Sequence, residues 1–208
     1  MNPIVYFGIG ALATFIGAIP LGTVNLSVIN TTLKQDARNA MKIALAAGVA
    51  EILLTFFALH CSTAFTKFID MHQWIQVSIA FILVAAGGFL FFKKQKPAET
   101  TAKKRFSSKF GTGFFLGLLN PPVVIYWILA ISYIDMNATS LNMHSPLATL
   151  FVFFVGVYAG KVFTLYLYSK LSNVIKHRAQ HIAQQINKII GILLLVIGVI
   201  QLTKVFIS

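Results

Sequence analysis

Two ionisable residues stand where the chain is otherwise apolar: Glu51 in the run Ile43 to Ala64, and Lys161 in the run Leu147 to Leu171. An ionisable group at membrane depth costs about 3 kcal/mol or more unless it faces the protein interior, a cavity or a partner, and such groups usually mark pathways. At about 1.5 Å per helical residue, Glu51 lies about 12 Å and Lys161 about 14 Å from the basic ends of their runs. The depths match, so the two can pair. In such a pair Glu51 is suited to take up a proton or bind an ammonium group, and Lys161 to bind a carboxylate or hold Glu51 ionised. The competing reading is an ion pair that only fixes helix register. Glu51, Thr55 and Ser62 share one helical face, as do Tyr158, Lys161, Thr164 and Tyr168, and both stripes are expected to face inward.

A second constellation surrounds prolines. The stretch GAIPLGTVNLSVIN, Gly17 to Asn30, puts Pro20, Gly22, Thr23 and Asn25 inside an apolar run, and GLLNPPVVI puts Asn120, Pro121 and Pro122 inside another. Proline removes a backbone donor and clashes with the carbonyl one turn back, so each site interrupts a helix. Freed backbone at membrane depth is tolerated only when buried in protein or lining a watered cavity. Thr23, Asn25 and Asn120 supply polar side chains beside the breaks. Paired breaks suit a substrate site near the midplane, where helix ends present partial charges to a polar ligand. A packing kink is the plainer alternative.

The elements that must position these residues are apolar. Of 208 residues 57% are hydrophobic and 11% charged, with a mean hydropathy of +0.80, whereas a soluble domain carries about 25% charged residues. Six runs are long enough to span a bilayer, which takes about 20 residues each: Ile4 to Ile29, Ile43 to Ala64, Trp74 to Phe92, Phe110 to Ile134, Leu147 to Leu171 and Ile189 to Ile207. The first run lacks a basic start and contains Pro20, so it is expected to be a retained helix rather than a signal peptide.

The net charge of +12 is a topology signal, because fourteen of the 17 Lys and Arg residues follow runs one, three and five. Positive loops stay in the cytoplasm, which puts both termini outside. Nucleic acid is thereby excluded as the expected partner, and the stretch KKQKPAETTAKKRFSSK reads as a solvated cytoplasmic linker.

The chain divides into a three-helix repeat over 1–92, the basic linker 93–109 and a second three-helix repeat over 110–208. Three is odd, so the halves enter the membrane from opposite sides, as inverted-topology repeats do. Gly17 aligns with Gly117, with the proline breaks one position apart. The expected fold is all-α: a polytopic membrane protein of six transmembrane helices in two inverted three-helix repeats. Small-residue spacings, Ala44 to Gly48, Gly113 to Gly117 and Gly156 to Gly160, read as close helix packing.

Other candidates carry less. Cys61 is the single cysteine, so no intramolecular disulfide forms. His177 and His181 have the spacing of a metal pair but no Cys, Asp or Glu in their loop to complete a site. His60, opposite the Glu51 stripe, is expected to be a packed histidine. Trp74, Tyr126, Trp127 and Tyr133 serve either as interface anchors or as bundle residues.

This pattern resembles the lysine exporter (LysE-type) family of bacterial amino-acid exporters. The resemblance rests on six spans, a proline break in the first followed by an Asn, a basic central linker, and GLLNPPVVIYW in the fourth. It departs at Pro20-Leu21-Gly22, where members commonly carry Pro-Gly-Pro. It implies export of amino acids from the cytoplasm driven by an ion gradient, with Pro20, Gly22, Asn120 and Pro121 as the positions carried over.

The expectation is a secondary transporter in a bacterial cytoplasmic membrane, moving amino acids or similar small amphoteric metabolites by alternating access. Its substrate-binding residues are Pro20, Gly22, Thr23, Asn25, Asn120, Pro121 and Lys161, with Glu51 as the coupling group. The expected partners are a small-molecule substrate, a proton or other coupling ion, and the lipid bilayer. Homo-oligomerisation stays open, and no cofactor or metal is expected. A metal-ion exporter ranks second, since Glu51 is the sole deep carboxylate and Cys61 the sole thiol, where metals want clustered ligands. A non-transporting structural protein ranks third. An enzyme would need a catalytic set that the chain lacks.

Overall fold

The computed structural model describes residues 3–70, 73–92, 108–137, 139, 141–175, 185, 188–189, 191–192, 195–196, 198–200 and 202–203. Among them the secondary structure is helical, without strands. The helices are α1 (Pro3–Ala18), α2 (Thr23–Lys34), α3 (Ala37–Asp70), α4 (Gln73–Phe92), α5 (Lys109–Leu118), α6 (Pro121–Asn137) and α7 (Leu147–Lys170), with further helical positions between 185 and 203. Most of the basic linker and both His177 and His181 lie outside the described residues.

The breaks fall where the prolines require. Pro20 ends the first run's helix, so α1 and α2 meet at a bend of 78°. The fourth run breaks between Leu118 and Pro121, with α5 and α6 bent by 59°. By contrast the second run is one helix that outlasts its apolar stretch at both ends. Asp36 starts it, since Asn39 donates its backbone N–H to Asp36 Oδ1 at 2.6 Å and satisfies a first-turn donor.

By length and composition, Ala37–Ser62 and Leu147–Lys170 can each cross a membrane, and the count among the described residues reaches four if each bent pair is one span.

The chain forms two compact units, and each draws on both sequence halves. One comprises Met1–Thr63 and Thr101–His177, the other Ala64–Thr100 and Arg178–Ser208. In the first unit glycines let helix backbones touch. Gly156 and Gly160 of α7 lie against the carbonyls of Phe7 and Ala11 on α1, while Gly113 and Gly117 of α5 lie against Ile43 and the Ala47 to Ala50 turn of α3. A methyl group at any of these positions would collide with its neighbour. Residue numbers rise together in both pairs, so α1 runs parallel to α7, and α5 parallel to α3. In the second unit Gly87 of α4 and Gly191 face each other backbone to backbone, and Gly198 meets Ala80 and Val84, so those strands of helix run antiparallel.

The core of the first unit follows the small-residue face of α7. Phe153, Gly156, Val157, Gly160, Lys161, Thr164 and Leu165 are all buried at three- and four-residue intervals. Trp127, Ile131, Leu59 and Leu141 fill one cluster beside it; Val24, Val28, Ile43 and Leu165 fill another. His60, expected to pack inside, is exposed. The face of α3 opposite Glu51 points out of the bundle, and His60 goes with it.

Candidate functional site

The inward stripe of α3 and the inward stripe of α7 meet. Lys161 Nζ lies 2.9 Å from Glu51 Oε2, and both residues are 4% exposed. The other carboxylate oxygen is also occupied: Trp127 of α6 donates its indole Nε1–H to Glu51 Oε1 at 2.9 Å. Trp127 is fully buried, with its ring edge-on to Phe153 at 6.1 Å. A charged donor on one oxygen and a neutral donor on the other engage both oxygens of the carboxyl group. Thr55 and Thr164 on the same stripes turn their hydroxyls to the carbonyls of Glu51 and Gly160, so the polar groups beside the pair are already matched.

Around the first break, side chains take over what the helix gives up. Asn25, 3% exposed, donates its amide to both Ala18 O at 2.9 Å and Pro20 O at 2.8 Å. The carbonyl between them, that of Ile19, accepts from the Tyr168 hydroxyl of α7. Three consecutive carbonyls freed by the break therefore have donors, one supplied from outside the broken span. On the other side of the break, Gly22 caps α2 without a side-chain bond, its backbone extended at φ −95°. Thr23 begins α2 and is exposed.

The two sites are joined twice. Lys161 and Tyr168 lie on one face of α7, about 10 Å apart along its axis. In α6, Tyr126 precedes Trp127: its hydroxyl donates to Ala13 O, and its ring rests on Gly17, where a methyl group would lie 2.5 Å from it. One turn of α6 thus holds α1 just before its break and Glu51 on α3.

The second break stands apart. Leu119 N–H still bonds Phe115 O at 2.9 Å, and Val123 N–H bonds Asn120 O at 3.0 Å. Asn120 is half-buried on a shallow, mostly apolar groove with Leu118, Leu119, Val124 and Ile125. Pro121 opens α6, and its side chain lies outside the described residues. The structure thus brings Pro20, Gly22 and Asn25 together at one break and Glu51 with Lys161 in one ion pair, while the described bonds of Asn120 are local.

The residues that sequence reasoning left undecided are Trp127 and Tyr126, and Tyr168 was placed only on an inward face. Their signal was faint but present: two aromatic polar donors seven and eight residues after a helix break.

A family model described as LysE type translocator matches residues 15–204. No curated protein and no solved structure matches the chain.

Proposed function

The chain belongs to the LysE type translocator family, and from that membership as a membrane translocator of small molecules we propose that it exports amino acids or similar amphoteric metabolites from the cytoplasm by alternating access. The observation that carries the reading is the buried Glu51 and Lys161 pair, 2.9 Å apart between helices of opposite halves. A zwitterion carries the same two charges. If the helices part, its carboxylate meets Lys161 and its ammonium meets Glu51, so two ion pairs replace one and neither buried charge is stranded.

Glu51 is the coupling group in this reading. While it is ionised it neutralises Lys161; once protonated, it leaves Lys161 as a buried cation that draws a carboxylate. The same arrangement disfavours the metal-ion alternative, because a cation approaching Glu51 meets an ammonium already seated on it. Pro20, Gly22, Thr23 and Asn25 form one wall of the route and Asn120 with Pro121 the other, at the two broken helices.

Inverted repeats are supported by who packs on whom. The first helix of one half lies parallel to the second helix of the other half, in both directions: α1 with α7, and α5 with α3. A two-fold exchange of the halves generates that pattern. The parallel senses also fit six successive crossings.

The test is efflux from bacterial cells fed dipeptides and expressing the chain, with empty-vector cells and a protonophore as controls. Selective appearance of one or a few amino acids in the medium, lost with the protonophore, is the expected outcome. No difference across the amino-acid panel, with the protein confirmed in the membrane, overturns the amino-acid reading. Glu51→Gln exporting at the wild-type rate with the same proton dependence overturns the coupling role.

A further inference from the structure

We infer that Trp127 is the positioning residue that ties the second broken span to the coupling charge: its indole N–H keeps Glu51 aimed at Lys161, and α6 must carry it away before Glu51 takes up a proton. The inference rests on the reading of Glu51 as the coupling group.

Three observations carry it. The indole nitrogen is a donor only, and its one hydrogen is spent on Glu51 Oε1 at 2.9 Å. A proton placed on Oε1 would therefore face a donor that cannot accept it. Second, Trp127 has no slack: it is fully buried, wedged against Phe153 and Tyr126 at ring distances of 6.1 Å and 5.5 Å. It moves with α6 as a rigid body. Third, α6 begins at the second break, whose described backbone bonds are local, so a swing of α6 there would carry Trp127 off Glu51 together with Tyr126 off Ala13 O.

Other groups near Glu51 do not supply the same control. Among the described residues the ionisable groups on helices α1, α6 and α7 that are at least half-buried are Lys161, Tyr158 and Tyr168 of α7, Tyr126 of α6 and Tyr6 of α1, while Tyr133, Asp135, Tyr166 and Lys170 are exposed and Tyr168 is bonded to Ile19 O. Tyr158 lies with its ring on Gly48, Tyr126 bonds Ala13 O, and Tyr6 bonds the Thr139 hydroxyl at 2.8 Å. Lys161 provides charge but sits on α7. Trp127 is the donor to this carboxylate that arrives on a broken helix.

The chain has two tryptophans, Trp74 and Trp127, and Trp74 is 66% exposed on α4. Trp74→Phe therefore leaves Trp127 as the sole indole, with its N–H on the group whose protonation is in question. In purified Trp74→Phe protein the emission of Trp127 is expected to follow a single pH transition that disappears in Trp74→Phe/Glu51→Gln. The absence of a transition across the pH range in which the protein stays folded, or one unchanged by Glu51→Gln, overturns the inference. In transport, Trp127→Phe keeps the ring and removes the donor. The pH at which proton-driven export is half-maximal is expected to shift, whereas a merely structural role would lower the rate with the midpoint unmoved. The fluorescence titration needs no substrate. A failed amino-acid panel with an intact titration therefore falsifies the substrate reading alone, and a lost titration with proton-dependent export falsifies the Trp127 inference alone.

Discussion

The two broken spans look alike in sequence and differ in how their backbones are satisfied. At the first break the carbonyls of Ala18, Ile19 and Pro20 all accept from side chains, and one of the donors, Tyr168, comes from another helix. At the second, Pro121 and Pro122 have no N–H to satisfy, Val123 N–H folds back to Asn120 O, and Leu119 is 75% exposed. A break held by tertiary bonds is expected to keep its shape, and one whose described bonds are local to bend more readily. Apparent symmetry in the sequence thus conceals a difference in bonding, and under the proposed function the first break serves as the fixed polar site and the second as the hinge.

The comparison is tested most severely on α7, which holds both the ion pair and the Tyr168 bond. Lys161→Met leaves Glu51 as an unpaired buried charge, which is expected to cost about 3–5 kcal/mol and to abolish export. Thermal unfolding in detergent micelles measures the loss. Glu51→Gln/Lys161→Met is expected to recover most of the stability without recovering export. A double variant as unstable as the single one would mean that the pair's packing, not its charge, holds α3 and α7 together.

Next comes Asn25→Ala against Asn120→Ala. The first deprives two carbonyls of their donor, one of them buried, and is expected to destabilise by about 2 kcal/mol or more. The second removes a half-buried amide from a position whose described bond is made by its backbone, and should change stability by about 0.5 kcal/mol at most. Equal losses would erase the distinction between the breaks. Tyr168→Phe, which frees one carbonyl and keeps the ring, should fall between them at about 1 kcal/mol.

Much of this arrangement was legible beforehand, for identifiable reasons. A buried charge in an apolar run must have a partner, and Lys161 was the one opposite charge at matching depth, so the pair could be read from spacing. The prolines announced both breaks because lost donors are a property of the residue itself. Trp127 could not be assigned: its partner is 76 positions away, and nothing local distinguishes an indole that seeks a carboxylate from one that seeks the membrane interface. Trp74 and Tyr133, of the same residue types, are 66% and 68% exposed where Trp127 is fully buried. Tyr168 lay on a face predicted to be inward, but its acceptor exists only because Pro20 opens a helix elsewhere. His60 was misread because the wheel gives direction while only packing tells what, if anything, lies there.

The smallest structural effect is expected at Gly22, and it separates shape from use. Its backbone is extended, a conformation open to any L-residue, and the nearest atom to an added Cβ is Pro20 O at 4.0 Å. Gly22→Ala should therefore change stability by about 0.5 kcal/mol at most. The position nonetheless sits at the start of α2, where first-turn N–H groups lack a side-chain cap and would meet a substrate carboxylate on its approach to Lys161. If the first break is the fixed polar site, a methyl group there obstructs that approach, and export should fall severalfold while the unfolding temperature stays put. Export at the wild-type rate would show instead that substrate passes without touching the α2 terminus. The capped carbonyls would then be architecture, and the binding role would pass to the ion pair and the hinge.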